Sequence, residues 1–199
     1  MELLQEKSGL EAYLVADHVI DHHHPVVRAT AGRLRDQAPG PYDYAEAAFE
    51  FVRDTIPHSY DSGDLRVTWR ASDVLAGRTG ICYAKAHALA ALLRAHGIPT
   101  GLCYQRLADD DGSDPVVHGL IAMWLPESGR WARQDPRGNK AGVNAQFSLN
   151  EERLAWVPRP EYGESDYPIL YAAPAPPVLK ALLEAVDRPH LSRLLPTAL

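Results

Sequence analysis

A chain of 199 residues, 46% apolar and 23% charged, has enough material for one domain with its own core and lacks the composition of a disordered chain. Its net charge of -6, with no offsetting Lys/Arg cluster, argues against nucleic acid or an anionic membrane as a partner. No apolar run is long enough to span a bilayer, and Met1 to Lys7 lack a basic start followed by an apolar stretch, so the expected setting is the cytoplasm.

In chain order, residues 9–20 read as a helix, broken by Asp21-His22-His23-His24-Pro25. The three histidines invite a zinc reading. Adjacent residues in extended chain point in alternating directions, however, and zinc sites space their ligands, so a polar turn is expected. A second helix starts with Pro25 at its first position and runs to about Gln37. Ala38-Pro39-Gly40-Pro41 links it to a third, where Asp43 and Glu46 have capping-box spacing. The apolar face of that helix is Ala45, Ala48, Phe49, Val52 and Ile56, and Pro57 ends it. Ser72 is expected to cap a short helix through Leu75.

From Cys82 to Ala95 the chain is apolar on nearly every side, which marks a buried central helix. Gly97 is its expected C′ residue, and Pro99 bars continuation. The period then changes to that of strands, over Thr100 to Leu107, Val116 to Leu125 and Arg130 to Asp135, joined by turns. A meander after a buried helix gives an α+β fold. Asp109 to Asp111 lack Ca²⁺-loop spacing and form a solvated hairpin tip. Ser148 to Glu151 begin a short helix, residues 158–177 are Pro-rich and irregular, and a last helix runs from Pro177 to about Val186.

The chemistry centres on Cys82. A thiol opening a helix meets the positive end of the dipole and unpaired first-turn N–H groups, which suits a nucleophile. His118 and Asp135 follow on separate strands. A thiolate needs a base, supplied by His118, and the base needs an acceptor for its other nitrogen, supplied by Asp135. The Cys82 N–H is a candidate oxyanion donor, with Tyr60 and Trp69 as weak further candidates. His58 could line the cleft. His87 and His96 read as packing or helix-surface residues, and Cys103 as a small buried hydrophobe. Arg137-Gly138-Asn139-Lys140 either contacts substrate or turns the chain. Two cysteines do not make a disulfide framework.

Gly80-Ile81-Cys82, Leu92-Leu93-Arg94-Ala95-His96-Gly97-Ile98-Pro99, His118 and Trp131-Ala132-Arg133-Gln134-Asp135-Pro136 occur in this order, and with them the chain resembles the transglutaminase-like superfamily over roughly residues 44 to 136. One departure is His118-Gly119-Leu120, where the family often has His-Ala-Trp. The resemblance implies a papain/transglutaminase-like core of about 44–140. N-terminal helices over 9–38 and a Pro-rich C-terminal extension over 158–199 would complete a single domain of residues 1–199. It also implies acyl transfer through a Cys82 thioester with Cys82, His118 and Asp135 as triad, ending in hydrolysis of an amide or peptide bond. No cofactor or metal is called for, and the substrate would be a peptide or small amide. A non-catalytic interaction module retaining the fold, and an arylamine-type acyltransferase, are the alternatives. The tyrosines of the Pro-rich stretch, Tyr162, Tyr167 and Tyr171, are expected to narrow the cleft.

Overall fold

The N-terminal segment forms a two-residue strand, β1 (Leu4–Gln5), and one 3-10 turn, Leu10–Tyr13, in a computed structural model that describes residues 1–199. The helix expected over 9–20 does not form. Asp17 Oδ1 accepts from the N–H groups of Val19 and Ile20, both at 2.7 Å, so a side chain takes the place of helical carbonyls. Helix α1 (Pro25–Gln37) has Pro25 at its first position and is capped by His24, whose Nδ1 accepts from Val26 N–H at 3.3 Å.

Helix α2 (Pro41–Thr55) starts ahead of Asp43, which falls in its first turn behind a Gly40 cap. A single turn, α3 (Ser59–Ser62), precedes α4 (Ala71–Gly77). Ser72 does not cap α4. Its N–H and hydroxyl both bind Asp21, at 3.0 and 2.5 Å, tying the helix to the three-His turn. Helix α5 (Cys82–Ala95) is buried from Cys82 to Arg94, as its apolar circumference demands. Gly97, at φ +75°, then reverses the chain in a conformation that suits glycine.

Strands β2 (Thr100–Leu107), β3 (Val116–Leu125) and β4 (Arg130–Gln134) form the antiparallel meander. Gln105 pairs with His118 and Ile121 with Gln134. The Pro-rich stretch is not irregular throughout: it supplies β5 (Ser165–Asp166), antiparallel to β2, and β6 (Ile169–Leu170), parallel to β1. The main sheet runs β4-β3-β2-β5. No helix starts at Ser148, because the Gln134 amide holds that residue's main chain, donating to its carbonyl at 2.7 Å and accepting from its N–H at 3.3 Å. The chain ends in α6 (Pro176–Glu184) and a further helix, α7 (Arg188–Leu194), capped by Asp187 on the His190 N–H at 2.7 Å.

One cluster of 37 buried residues unites these layers. It draws Val27 and Leu34 from α1, Leu89 and Leu92 from α5, Ile121 and Met123 from β3, and Val178, Leu182 and Leu191 from α6 and α7. Segments before residue 44 and after residue 158 therefore pack in the same core as the central helix. The fold is α+β, and none of its helices is long and apolar enough to cross a membrane.

Candidate active site

Cys82 is the first residue of α5 and is 6% exposed. His118, on β3, and Asp135, just beyond β4, are buried beside each other, with His118 Nε2 at 2.9 Å from Asp135 Oδ2. The antiparallel register makes this pairing, since β4 runs alongside the His118 strand. Asp135 is fully buried and accepts two further hydrogen bonds, from the N–H groups of Ala155 and Arg137, both at 3.1 Å. Burial alone would raise its carboxyl. The imidazole charge and these donors outweigh burial and hold it below the usual carboxylate range. Burial likewise works against protonated His118, but Asp135 and then the Cys82 sulfur, acting as charge and as hydrogen-bond partner, push it up to about 10. Cys82 and His118 share one cleft of about 1100 Å³.

The residue after His118 explains the departure noted in the sequence. A Cβ on Gly119 would lie 2.6 Å from Tyr83 Cδ1, and the Tyr83 hydroxyl donates to the Val117 carbonyl. Glycine at 119 lets the ring that follows the nucleophile pack closely against the strand that carries the base.

The Cys82 N–H is not a free oxyanion donor. It donates to His58 Nε2 at 3.1 Å. Tyr60 lines the cleft, but its hydroxyl is engaged with Ser192. Trp69 does not line it. Its carbonyl pairs with His87 Nδ1 at 2.8 Å and its ring stacks under Arg70.

The sequence carries no signal for Trp156, yet its ring meets the His118 ring edge-on at 5.0 Å, and the Arg137 guanidinium lies over it, 5.3 Å from its centroid. Arg137, 5% exposed, pairs with Asp61, which Lys140 also reaches at 3.3 Å. The Arg137 to Lys140 run therefore both turns the chain and builds the cleft, where Arg137 and Lys140 stand. A tryptophan in a loop carries no periodic signal; only its place across the His118 ring marks it.

The acidic hairpin tip also lines the cleft. Arg159 clasps it to the later segment, donating to the carbonyls of Ala108 and Asp109 at 3.2 and 3.1 Å and to Glu164 at 2.7 Å, while Glu164 accepts from Ala108 N–H at 3.0 Å. The later segment thus does line the cleft, through Trp156, Val157, Arg159 and Glu164. The expected agents, its tyrosines, do not. Tyr162 lies under Arg159, Tyr167 accepts from Leu199 N–H at 3.1 Å, and Tyr171 packs on Tyr104 at 5.5 Å.

The remaining candidates pack. His22 is buried against His23, His96 stacks on Tyr44 at 4.4 Å, and burial pushes the neutral-favouring His87 down to about 4. Cys103 is fully buried, its thiol pushed up to about 12 by burial. No group of three or more His, Cys, Asp or Glu side chains is placed to hold a metal ion.

A family model described as the transglutaminase-like superfamily matches residues 28–136. No curated protein matches. Among solved structures, a candidate cysteine protease from Cytophaga hutchinsonii aligns at 18% identity over 66% of this chain and 43% of its own, with a TM-score of 0.54. The periplasmic domain of TgpA from Pseudomonas aeruginosa aligns at 26% identity over 63% of this chain and 45% of its own, TM-score 0.45. Red sea bream transglutaminase aligns at 15% identity over 66% and 32%, TM-score 0.45. The chain spans less than half the length of each of these three.

Proposed function

Because the chain belongs to the transglutaminase-like superfamily, we propose that it is a thiol-dependent acyl-transfer enzyme that hydrolyses an amide or peptide bond through a thioester on Cys82. The observation that carries this reading is the buried His118–Asp135 pair, 2.9 Å apart, opening with the Cys82 thiol into one cleft. The Cys82 sulfur attacks the acyl carbon. The amide C–N bond breaks, and His118 passes its proton to the departing amine. Water then attacks the thioester, His118 takes its proton, and the carboxylic acid leaves as the C–S bond breaks. Asp135 holds the imidazole by Nε2 throughout, which turns Nδ1 to the sulfur. Trp156, lying across the imidazole, keeps water from the His118–Asp135 bond.

The cleft suits a peptide or small amide. Apolar Ile81, Val116, Val117 and Leu195 and charged Asp61, Arg137, Lys140 and Arg159 all line it. The test is acyl capture. An activated acyl ester should modify Cys82, the adduct should be released by hydroxylamine, and His118→Ala should slow its formation at least about a hundredfold. Acylation elsewhere, or at an unchanged rate in His118→Ala, would overturn the reading.

A further inference from the structure

Helix α5 starts behind Ile81, which has no group able to cap it. The cap comes instead from His58, 24 residues upstream, whose Nε2 accepts the N–H of the nucleophile itself. An accepting Nε2 leaves the proton on Nδ1, and that Nδ1 is buried with no hydrogen-bond partner. The arrangement is expensive. Ser, Thr or Asp at position 81 would cap locally and orphan nothing.

A local Ser or Thr would leave the helix start untied to the segment that opens α3, and a local Asp would put a negative charge beside the sulfur. His58 has none to give. Burial first, then the charge of Arg137, hold it down to about 3. Lys85 from α5 and His118 from β3 act in the same direction, Asp61 from α3 opposes them, and the neighbouring Tyr60 ring lies 5.8 Å away. The sulfur itself faces His118, with Tyr83 and Tyr104 as its other titratable neighbours.

We propose that His58 is a positioning residue: it caps the N–H of Cys82 with an uncharged acceptor, holding the helix start against His118 while adding no negative charge beside the sulfur. This rests on Cys82 being the nucleophile. Glutamine and glutamate both reach the place of Nε2, and both accept an N–H, but only one is charged.

The experiment compares His58→Gln with His58→Glu in the full chain. Iodoacetamide alkylation of Cys82 is followed by mass spectrometry from about pH 5 to about pH 10, alongside thermal melts. His58→Gln should keep a profile within about twofold of the unsubstituted protein. His58→Glu should melt close to His58→Gln, yet its alkylation profile should move up by about one pH unit, roughly tenfold slower on the acid side. Coincident Gln and Glu profiles, or a Gln profile displaced as far as the Glu one, would overturn the role of His58. A Cys82 no more reactive than Cys103, or indifferent to His118→Ala, would overturn the enzyme reading and this proposal with it.

Discussion

Gly119→Ala places one methyl group at the junction between nucleophile and base. Its Cβ would stand 2.6 Å from Tyr83 Cδ1 and 3.4 Å from Tyr83 Cα. The ring cannot swing aside, because it is 1% exposed and its hydroxyl is bonded to the Val117 carbonyl. Backbone strain is not the issue, since Gly119 is not among the residues with positive φ. The cost is overpacking, about 1–3 kcal/mol. For a chain of this size each kcal/mol lowers the melting temperature by roughly 2–4 °C, so a fall of roughly 2–12 °C is expected. Thermal melts by circular dichroism measure it, and a double-mutant cycle assigns it: in a Tyr83→Leu background Gly119→Ala should cost less, because the obstructing ring is gone. Alkylation of Cys82 should slow in the single variant, as Tyr83 carries its neighbour away from His118. A Gly119→Ala cost below about 0.5 kcal/mol, the scale of an ordinary surface change, would refute the steric argument. So would equal costs in both backgrounds.

Cys82→Ala should abolish iodoacetamide labelling at neutral pH, whereas Cys103→Ala should leave it intact, because the Cys103 thiol is buried and pushed up to about 12; peptide mapping reads both. Asp135→Asn should cut Cys82 acylation about a hundredfold or more, by leaving His118 without the carboxylate that sets its tautomer, and stopped acylation assays measure the loss. Lys85, buried with its ammonium on the carbonyls of Arg53 and Ile56 at 3.2 and 2.5 Å, is lowered by burial to about 7. Between pH 7 and its unfolded value the unfolded chain binds the extra proton, so Lys85 makes stability rise with pH. His118, raised to about 10, does the reverse, stabilising fully below its unfolded value and losing that contribution as pH approaches 10. Lys85→Met should therefore lose stability from about pH 7 to about pH 9 more steeply than the unsubstituted protein in urea titrations, and equal slopes would contradict the assignment. A strong chelator should change neither the melting temperature nor Cys82 alkylation, as no three-ligand cluster exists to be emptied.

What the sequence made legible follows strong local signals. The strands Thr100–Leu107 and Val116–Leu125, bounded by turn residues, and the uniformly apolar helix from Cys82 carry their own signals, and the three triad candidates stand on or beside them. Failures occur where a side chain, near or far, decides the main chain. Asp17 diverts Val19 and Ile20 from helix, and the Gln134 amide keeps Ser148 from starting one. Strands β5 and β6, of two residues each, exist only because β2 and β1 lie alongside, a pairing no short window contains. His58 lines the cleft as expected, but its bond to the Cys82 N–H, like the place of Trp156 across the His118 ring, carries no local signal. Neither has a spacing relative to Cys82 or His118 that its residue type would announce, and both act through the fold's closure of loops onto the helix start and the strand.

The Arg159 clasp bears on how specificity could be changed. It binds the turn after β2 to the segment before β5, so one wall of the cleft is assembled from two stretches that are distant in sequence and mechanically joined. Replacing either stretch alone breaks the joint, because the bonds that cross it run from Arg159 and Glu164 to the main chain of Ala108 and Asp109. Transplanted together, they form a cassette that can be exchanged while the thiol, imidazole and carboxylate stay on α5, β3 and the end of β4. Library design for new substrates would then treat residues 107–116 and 156–166 as one inheritable unit, with diversity introduced at the faces they turn to the cleft and Arg159 and Glu164 held fixed.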